Sequence, residues 1–522
     1  MTQQCAFLGA VALLALNSFL PTVCARGDDR RVSMVEIVAG TGKPGYSGDG
    51  GLATEARLRW PNGIAVGPDG SLYIADTGNG RIRKVSASGT ISTFAGGGRP
   101  ADGLGDGGLA TEASLNQPMG VAVGPDGSVY IADSENHRIR VVDRAGIIAT
   151  LVGDGEPRYS GDGGPAAKAS LQRATDVALG PDGSLYVADF ANHRVRKVAP
   201  TGVITTIAGH GGPPNLPLGN GGPATKARVE PQCLALGVDG NLYTAEQGHR
   251  IRQVDPAGII TALAGDGWPG SINSQGRFAG DGGPATEASL NGPAGLAMAK
   301  DGSLFIADSG NKRIRKVGPG GTITTIAGNG QEGGVFGNGI PAVEAGLGWP
   351  VDVAVGADGN LYIVDSGNHQ VYRVWWRPCD PDVAKAKADD LRAKAGDSPG
   401  LWREVVELCL VAEEWDDAMA AADRVLRLTP EGDESARMRA EVLIARVYAA
   451  KRDDHEARRL LIRILARGED PVVIREAADA LVDLYLVRDE REQAIATLND
   501  LRTRDRRLLD WIDRRLKAIA GD

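Results

Sequence analysis

The sequence has few cysteines and no excess of positive charge. Five cysteines among 522 residues are too few for a disulfide framework. Lysine and arginine number 57 against 66 acidic residues, which gives a net charge of -9. Proteins that hold nucleic acid neutralise phosphates with a concentrated basic surface, so nucleic acid is not expected as a partner.

Long hydrophobic runs are also absent. The run from Ala6 to Leu16 is the clearest one, and it is shorter than the roughly 20 residues that span a bilayer. A small-residue site, Val23-Cys24-Ala25, follows it and predicts a secretory signal over residues 1–25. We therefore expect export to the periplasm or the extracellular space, with no transmembrane segment in the mature chain. Lipid anchoring at Cys24 is the alternative, and a disulfide between Cys379 and Cys409 stays open.

Glycine is abundant, at 73 residues, and indicates many tight turns. A search for internal repeats finds one unit that occurs six times, with equivalent positions of successive units 56 to 62 residues apart. Its clearest segment ends in an acidic residue and lies at Tyr73–Asp76, Tyr130–Asp133, Tyr186–Asp189, Tyr243–Glu246, Phe305–Asp308 and Tyr362–Asp365. Each unit contains four short alternating strands separated by turns, the pattern of a propeller blade.

The sixth unit ends early and predicts how the ring closes. It stops after its third strand at Val374, whereas an isolated strand, Val35 to Gly40, precedes the first unit. The spare strand is therefore predicted to fill the place of the missing fourth strand. It would pair with the third strand of the sixth unit and remove an open edge. We expect a six-bladed β-propeller over residues 33–377.

The segment from Tyr130 to Arg140, YIADSENHRIR, resembles the signature of NHL-repeat proteins. The resemblance implies the propeller fold but leaves function open, because the family includes scaffolds, RNA binders, receptor domains and a zinc lyase. In the lyase, histidines near the central channel are expected to hold the zinc. The equivalent inner-strand positions here are Gly63, Gly120, Asp176, Cys233, Gly295 and Asp352, so the resemblance does not carry lyase activity.

One face of the propeller is expected to carry recognition. Strand direction alternates within a blade, so the long connections between blades share a face with the turns between second and third strands. This face is called the long-connection face below. Each connection contains a motif such as Ser47-Gly-Asp-Gly, whose aspartate is expected to cap a one-turn helix, with calcium binding as the alternative. The fifth connection adds Trp268, Arg277 and Phe278, which are candidate ligand contacts.

The turns between second and third strands carry a second set of candidates. Histidines stand at equivalent positions of four blades, namely His137, His193, His249 and His369. Equivalent turns of different blades lie too far apart to share one zinc ion, whose bonds to nitrogen are about 2.1 Å. We expect a role in the turn, with the preceding aspartate accepting hydrogen bonds from turn amides and from the following arginine.

Asp176, Cys233 and Asp352 form a third set, at the mouth of the channel. Asp176 belongs to the third blade and Asp352 to the sixth, which are opposite in a ring of six. Two facing carboxylates beside a thiol would attract a cation or a basic ligand group. The alternative is that each carboxylate accepts from backbone amides of its own loop.

The composition changes after Asp380, where glycine becomes rare and helical periodicity begins. Residues 378–398 are expected to form a linker and first helix. Residues 399–522 resemble tetratricopeptide repeats, with Ala418, Ala457 and Ala494 at matched positions of paired helices. A final helix is expected from about Asp505 to Ala520.

No nucleophile elbow, phosphate-binding loop or paired-cysteine metal motif occurs in the sequence. The chain is therefore interpreted as an exported, non-catalytic binding or scaffolding protein without a cofactor, recognising a protein, peptide or glycan. The alternative is a divalent-cation-dependent propeller enzyme of lactonase or lyase type.

Overall fold

The computed structural model describes residues 31–101, 103–212, 218–267, 278–331, 340–378, 381–412, 414–430, 432–467, 470–488 and 490–504, with 508, 512–513 and 515–516. The predicted signal segment, Cys24, Trp268, Arg277, Cys379 and most of the predicted final helix lie outside these residues. Contacts divide the chain into two compact units, Val35–Trp375 and a second unit that includes Trp376 onward.

The first unit is a propeller of six antiparallel sheets, as predicted. Blades 1 to 3 contain β2 (Ile64–Val66), β3 (Leu72–Asp76), β4 (Arg81–Val85) and β5 (Ile91–Gly96); β6 (Pro118–Val123), β7 (Val129–Asp133), β8 (Arg138–Val142) and β9 (Ile148–Val152); and β10 (Ala174–Leu179), β11 (Leu185–Asp189), β12 (Arg194–Val198) and β13 (Ile204–Ala208). Blades 4 and 5 contain β14 (Gly222–Pro223), β15 (Pro231–Leu236), β16 (Leu242–Glu246), β17 (Arg250–Val254) and β18 (Ile259–Ala264); and β19 (Pro293–Met298), β20 (Leu304–Asp308), β21 (Arg313–Val317) and β22 (Ile323–Ala327).

Blade 6 closes the ring with a strand from the amino-terminal side of the propeller. It contains β23 (Ile340–Pro341), β24 (Pro350–Val355), β25 (Leu361–Asp365), β26 (Gln370–Pro378) and β1 (Arg31–Ala39), with β1 hydrogen-bonded between β26 and β23. A buried ion pair of 2.7 Å joins Arg373 of β26 to Glu36 of β1, and the Gln370 side chain donates to the Gly40 carbonyl at 3.2 Å. The predicted closure is confirmed.

The inner strands β2, β6, β10, β15, β19 and β24 contact one another in a closed ring. Apolar residues of adjacent sheets pack between the blades, as Tyr73 and Ala75 of blade 1 do with Val121 and Ile131 of blade 2. Sheets that twist and pack face to face in this way bury both faces of their strands. Separate buried apolar clusters thus lie between neighbouring blades.

Each long connection also covers the outer edge of its own blade. In blade 1, the Gly50 amide donates to the Ile91 carbonyl at 2.8 Å, and the Ile91 amide donates to the Gly51 carbonyl at 3.0 Å. A one-turn 3-10 helix, Ala53–Glu55, follows. The connection thereby pairs an edge that would otherwise expose free N–H and C=O groups.

The second unit contains seven α-helices in its described residues: α1 (Pro381–Lys394), α2 (Pro399–Val411), α3 (Trp415–Leu428), α4 (Glu434–Ala450), α5 (Asp454–Arg467), α6 (Pro471–Val487) and α7 (Arg491–Arg504). Helix α2 begins with Ser398, whose hydroxyl accepts from the Leu401 amide, and with proline at its first turn. Ala418, Ala457 and Ala494 are fully buried in α3, α5 and α7, so the matched alanines occupy equivalent places in successive helix pairs. None of the helices in the described residues has the length and apolar character to cross a bilayer.

Candidate functional site

The acidic residue that ends each second strand is bound inside its own blade. In blade 2, Asp133 accepts from the Asn116 amide at 2.7 Å, from the Asn136 side chain at 2.8 Å and from Arg140 at 3.3 Å. The arginine partner is therefore Arg140 of the third strand and not Arg138, which donates to backbone carbonyls instead. A fully buried guanidinium requires a charged partner and several acceptors, and the blade supplies both.

The same arginine also binds the aspartate of the connection motif, for which a helix-capping role was predicted. Asp106 accepts from Arg140 at 2.6 Å and from Thr150 at 2.7 Å. The one-turn helices that follow have no side-chain cap. The capping prediction is wrong, because the motif aspartate anchors a buried arginine. Equivalent anchors are Asp49 with Arg83, Asp162 with Arg196 and Asp281 with Arg315.

The buried acids of this network are poorly solvated. Burial raises the pKa of Asp189 to about 6 against the opposing effect of its hydrogen-bond donors, and it raises the pKa of Glu246 to about 7 against the charge of Arg252. Shifted carboxyls often mark active sites, but these acids recur in several blades with the same internal partners. The network is structural.

Of the four turn histidines, three link neighbouring blades. Each lies in left-handed backbone conformation, with φ between 52° and 58°. His137 accepts through Nδ1 from the Arg173 amide of blade 3 at 3.3 Å, and His249 accepts from the Gly292 amide of blade 5 at 2.8 Å. Burial lowers the pKa of His249 and His369, which keeps these rings neutral and able to accept.

His369 makes the same link across the closing seam, where it accepts from the Trp60 amide of blade 1 at 3.2 Å. His193 differs, because its buried Nδ1 has no hydrogen-bond partner among the described atoms. The role of these histidines is therefore wider than the predicted turn, since three of them join two blades. None faces a shared centre with the others.

Asp176, Cys233 and Asp352 occupy equivalent places at the starts of inner strands, as predicted. Each accepts from an amide of the next blade: Asp176 from Leu234 at 2.8 Å, Cys233 from Leu296 at 3.3 Å and Asp352 from Ile64 at 2.9 Å. The expectation that each carboxylate satisfies only its own loop is corrected, because these side chains bridge adjacent inner strands. Asp352 additionally accepts from its neighbour Val353 at 2.8 Å.

The close packing of the inner strands explains why other members of this ring are glycine. A Cβ atom at Gly120 would lie 2.3 Å from the Asp176 Oδ1, and one at Gly295 would lie 2.6 Å from the Asp352 Oδ1. Each carboxylate thus lies against a glycine of the preceding blade. The aspartate and glycine positions depend on each other.

The three polar groups influence one another electrostatically. Burial raises the pKa of Asp176 to about 6. Burial, and then the charge of Asp176, raises the pKa of Asp352 well above its ordinary value, and burial together with both carboxylates raises the pKa of the Cys233 thiol. Among the described residues, no cation forms an ion pair with either carboxylate. Cys233 is a buried free thiol.

Exposed aromatic residues lie on the long-connection face. Phe278, predicted as a ligand contact, lies in the fifth connection with Arg313 stacked 3.9 Å from its ring centre. Tyr46 and Tyr159 occupy the same place in blades 1 and 3 and stack on Arg81 and Arg194. Each ring keeps more than a third of its surface exposed. Phe278 is thus one of three equivalent aromatic rings that stack on an arginine.

Two exposed tryptophans were not identified from the sequence. Trp60 and Trp349 stand three residues before Gly63 and Asp352, and about half of each side chain is exposed. The equivalent positions of the other blades are Gln117, Arg173, Glu230 and Gly292. An alignment of the six units at this position shows the two aromatic residues on adjacent blades and would have identified them.

No group of three or more histidine, cysteine, aspartate or glutamate side chains converges as a metal site within the described part of the chain. The aspartates proposed as calcium ligands are bound by arginine, and the channel carboxylates bind backbone amides. Among these residues the structure therefore provides no cluster to which a catalytic cation could be assigned.

Comparisons with known proteins match the repeats of the propeller. A model described as the teneurin NHL domain matches residues 26–101, 98–160 and 268–333, and a model of the NHL repeat matches residues 171–198 and 347–372. Teneurin-3 of Danio rerio is 34% identical over 332 residues, which covers 58% of this chain and 11% of the teneurin. Teneurin-4 of Mus musculus is 32% identical over 285 residues, covering 48% of this chain and 10% of the relative. The chain thus matches about a tenth of the length of these relatives.

Solved structures with a similar arrangement have lower identity. An auxiliary nutrient binding protein from Bacteroides thetaiotaomicron superposes with a TM-score of 0.48 at 16% identity, covering 66% of this chain and 77% of that one. A virginiamycin B lyase from Staphylococcus aureus gives a TM-score of 0.38 at 16% identity, covering 66% and 88%. The chain thus consists of a six-bladed β-propeller with NHL repeats and a helical domain after the propeller.

Proposed function

We propose that this protein is an exported, non-catalytic binding or scaffolding protein. It would recognise a protein, peptide or glycan through the long-connection face of the propeller and through its tetratricopeptide-like helical surface. The relationship to teneurins supports a protein interaction rather than a reaction. Export rests on the apolar segment and small-residue site within residues 1–25.

The observation that carries this proposal is the distribution of exposed aromatic side chains. Within the described residues, the five exposed aromatic side chains all lie in the long connections: Tyr46, Trp60, Tyr159, Phe278 and Trp349. The two exposed large apolar residues of the opposite face are aliphatic, Val203 and Val238, and lie in short turns. Aromatic side chains are enriched in the binding surfaces of proteins, so the distribution marks one face for recognition.

The polar motifs support binding over catalysis. The repeated aspartates, arginines and histidines bind one another or backbone amides, which leaves no nucleophile beside a base at these positions. The alternative is an enzyme of lactonase or lyase type that depends on a divalent cation. Elemental analysis of the purified protein tests it, because a stoichiometric divalent metal would favour the enzyme.

The binding function is tested with full-length protein immobilised on a resin and exposed to the extracellular fraction of its own organism. One variant carries Tyr159→Glu and Phe278→Glu, two exposed rings of the long connections. The matched control carries Val203→Glu and Val238→Glu on the opposite face. We expect a component that the wild type and the control retain and the first variant loses. Equal retention by both variants would contradict the assignment of the face.

Export is tested separately by amino-terminal sequencing of the protein recovered outside the cytoplasm. We expect a mature chain beginning at Arg26, because the predicted cleavage follows Ala25. Full-length protein recovered only from the cytoplasm would overturn this part of the proposal.

A further inference from the structure

The long-connection face has two large apolar side chains close together at the seam between blades 6 and 1. Trp60 is 54% exposed and Trp349 is 49% exposed, although tryptophan is usually largely buried. They belong to different blades and lie 289 residues apart in the chain. Only the ring closure brings them to one place.

Both tryptophans are held against the same turn, Ser366–His369, between β25 and β26. The Trp349 amide donates to Asp365 at 2.8 Å, and its carbonyl accepts from the Ser366 amide at 3.0 Å. On the other side, the Trp60 amide donates to His369, and the two rings meet edge to face with 4.7 Å between centres. Their backbones are fixed while their indole rings keep half of their surface exposed, the arrangement of a preformed contact site.

The inner strands that follow these tryptophans are joined by a carboxylate that has no ion pair with any described cation. Asp352 lies three residues after Trp349 and accepts from the Ile64 amide, four residues after Trp60. No cation in the described residues pairs with Asp352 or with Asp176 across the channel. Burying a carboxylate without a countercharge is costly, so a cation brought by a ligand would be stabilised here.

Other charged residues at the equivalent positions are already compensated. Arg173 forms an ion pair with Glu135 at 3.0 Å, and Glu230 forms one with Arg228 at 2.5 Å. The connection aspartates, such as Asp49, bind buried arginines. The channel carboxylates differ from these compensated residues, because no cation among the described residues forms an ion pair with them.

We propose that Trp60, Trp349 and the channel carboxylates form a pocket for a basic side chain of a protein partner, with arginine preferred over lysine. The inference rests on the proposed binding function and deepens it. Indole faces attract guanidinium groups and cover the alkyl stem of the side chain, while the carboxylates supply the opposite charge. Arg59 beside His369 opposes an incoming cation, so its removal strengthens binding.

The probe is an acetylated and amidated hexa-arginine peptide, titrated into the full-length protein by calorimetry at physiological salt. Replacing both tryptophans by alanine preserves the net charge, and we expect binding to weaken about tenfold, since the cation–π contacts of both rings are lost. Arg59→Ala is expected to tighten binding about twofold. The control Val238→Ala, 85% exposed on the opposite face, is expected to bind as the wild type does.

The carboxylates are tested with Asp176→Asn, which keeps the size of the side chain. We expect weaker binding of hexa-arginine with a thermal unfolding midpoint that shows a folded protein. If the tryptophan double variant binds hexa-arginine as tightly as the wild type, the pocket is wrong and the attraction is general charge. Tryptophan-dependent binding of maltohexaose without binding of hexa-arginine would also overturn the proposal, in favour of a glycan.

These results are distinguishable from a failure of the binding function itself. A native partner that the long-connection face retains, and that the tryptophan double variant retains equally, would leave the function standing and remove the pocket. Tryptophan-dependent hexa-arginine binding without any retained native partner would support the pocket and count against the broader function.

Discussion

Blade 6 is built differently from blades 1 to 5, and the difference separates what holds a blade together from what closes the ring. Blades 1 to 5 each contain a fully buried arginine in the third strand: Arg83, Arg140, Arg196, Arg252 and Arg315. Blade 6 has Tyr372 at this position, and its hydroxyl donates to the Gln370 side chain at 2.8 Å. Asp365 consequently accepts from the amides of Gly348 and Trp349 in place of a guanidinium.

At the seam, an ion pair between two distant segments of the chain takes the place of the arginine–aspartate pair found inside the other blades. The buried pair of Arg373 and Glu36 ties the third strand of blade 6 to β1, where other blades tie the third strand to their own connection. The exposed tryptophans lie at the same seam. The blade that lacks the repeated arginine thus closes the propeller and lies beside both exposed tryptophans of the long-connection face.

The largest expected effect is the loss of a blade arginine. Arg196→Met removes the countercharge of the buried Asp189 and of Asp162, and breaking such a buried pair costs about 4 kcal/mol in the free energy of unfolding. Tyr372→Phe at the equivalent place in blade 6 removes one neutral hydrogen bond and costs about 1 kcal/mol. Urea unfolding followed by circular dichroism measures both. Similar losses would show that blade 6 depends on Tyr372 as the others depend on arginine.

The next effect concerns closure. Glu36→Ala removes one carboxylate partner of the buried Arg373 guanidinium and is expected to cost about 3 kcal/mol. Hydrogen exchange should accelerate first in β1 and β26, while β11 and β16 keep their protection. The control is Lys84→Ala, which breaks an exposed pair with Asp69 and is expected to cost less than about 1 kcal/mol. Uniform acceleration in all blades would contradict a local seam.

Much of this architecture was predictable from the sequence, because blade boundaries follow local turn chemistry and the missing fourth strand is visible in the sixth unit. The partners of the polar residues were not predictable. Asp106 and Arg140 are 34 residues apart, and Asp176 and Leu234 are 58 apart, so neither contact follows from a local pattern. An arginine between apolar strand residues is also ordinarily read as exposed, whereas Arg140 is fully buried because two acids flank it.

A smaller effect is a pH dependence from the channel. Asp176 has a folded-state pKa of about 6, raised by burial above the ordinary value of 3.8, so the folded state binds more protons than the unfolded state between about pH 4 and 6. Its contribution to stability is present below pH 4 and is lost as the pH rises through 6, by at most about 3 kcal/mol. Asp176→Asn should reduce the fall of stability over this range, while the other buried acids such as Asp189 and Asp308 keep their own contributions, as measured by unfolding at each pH unit from 2 to 7.

The control for the channel is Asp182→Asn on the opposite face. Hydrogen bonds from the Ser184 amide and hydroxyl lower the pKa of Asp182 to about 2, so this group stabilises the fold above pH 4 and loses that contribution as the pH falls towards 2. The two variants should therefore differ from the wild type in separate pH ranges and with opposite sign. Identical pH profiles for the wild type and Asp176→Asn would contradict the channel assignment.

The smallest expected effect on stability is a difference between His249 and His193, which occupy equivalent positions in blades 4 and 3. His249→Gly removes the hydrogen bond to the Gly292 amide, whereas His193→Gly removes a ring whose Nδ1 has no partner among the described atoms. Glycine tolerates the left-handed backbone at both sites, as Gly80 does in blade 1. We expect the first change to cost about 1 kcal/mol more than the second, by parallel urea unfolding. Equal costs would remove the blade-to-blade role of His249.

The closing strand also has a consequence for biosynthesis. Gly40 and Gln370, which meet at the seam, are separated by 330 residues. At about 10 residues per second, a ribosome needs roughly half a minute to make the partner that β1 requires. During that interval the nascent chain holds an apolar strand with two free edges, which makes this segment a natural place for a chaperone to act.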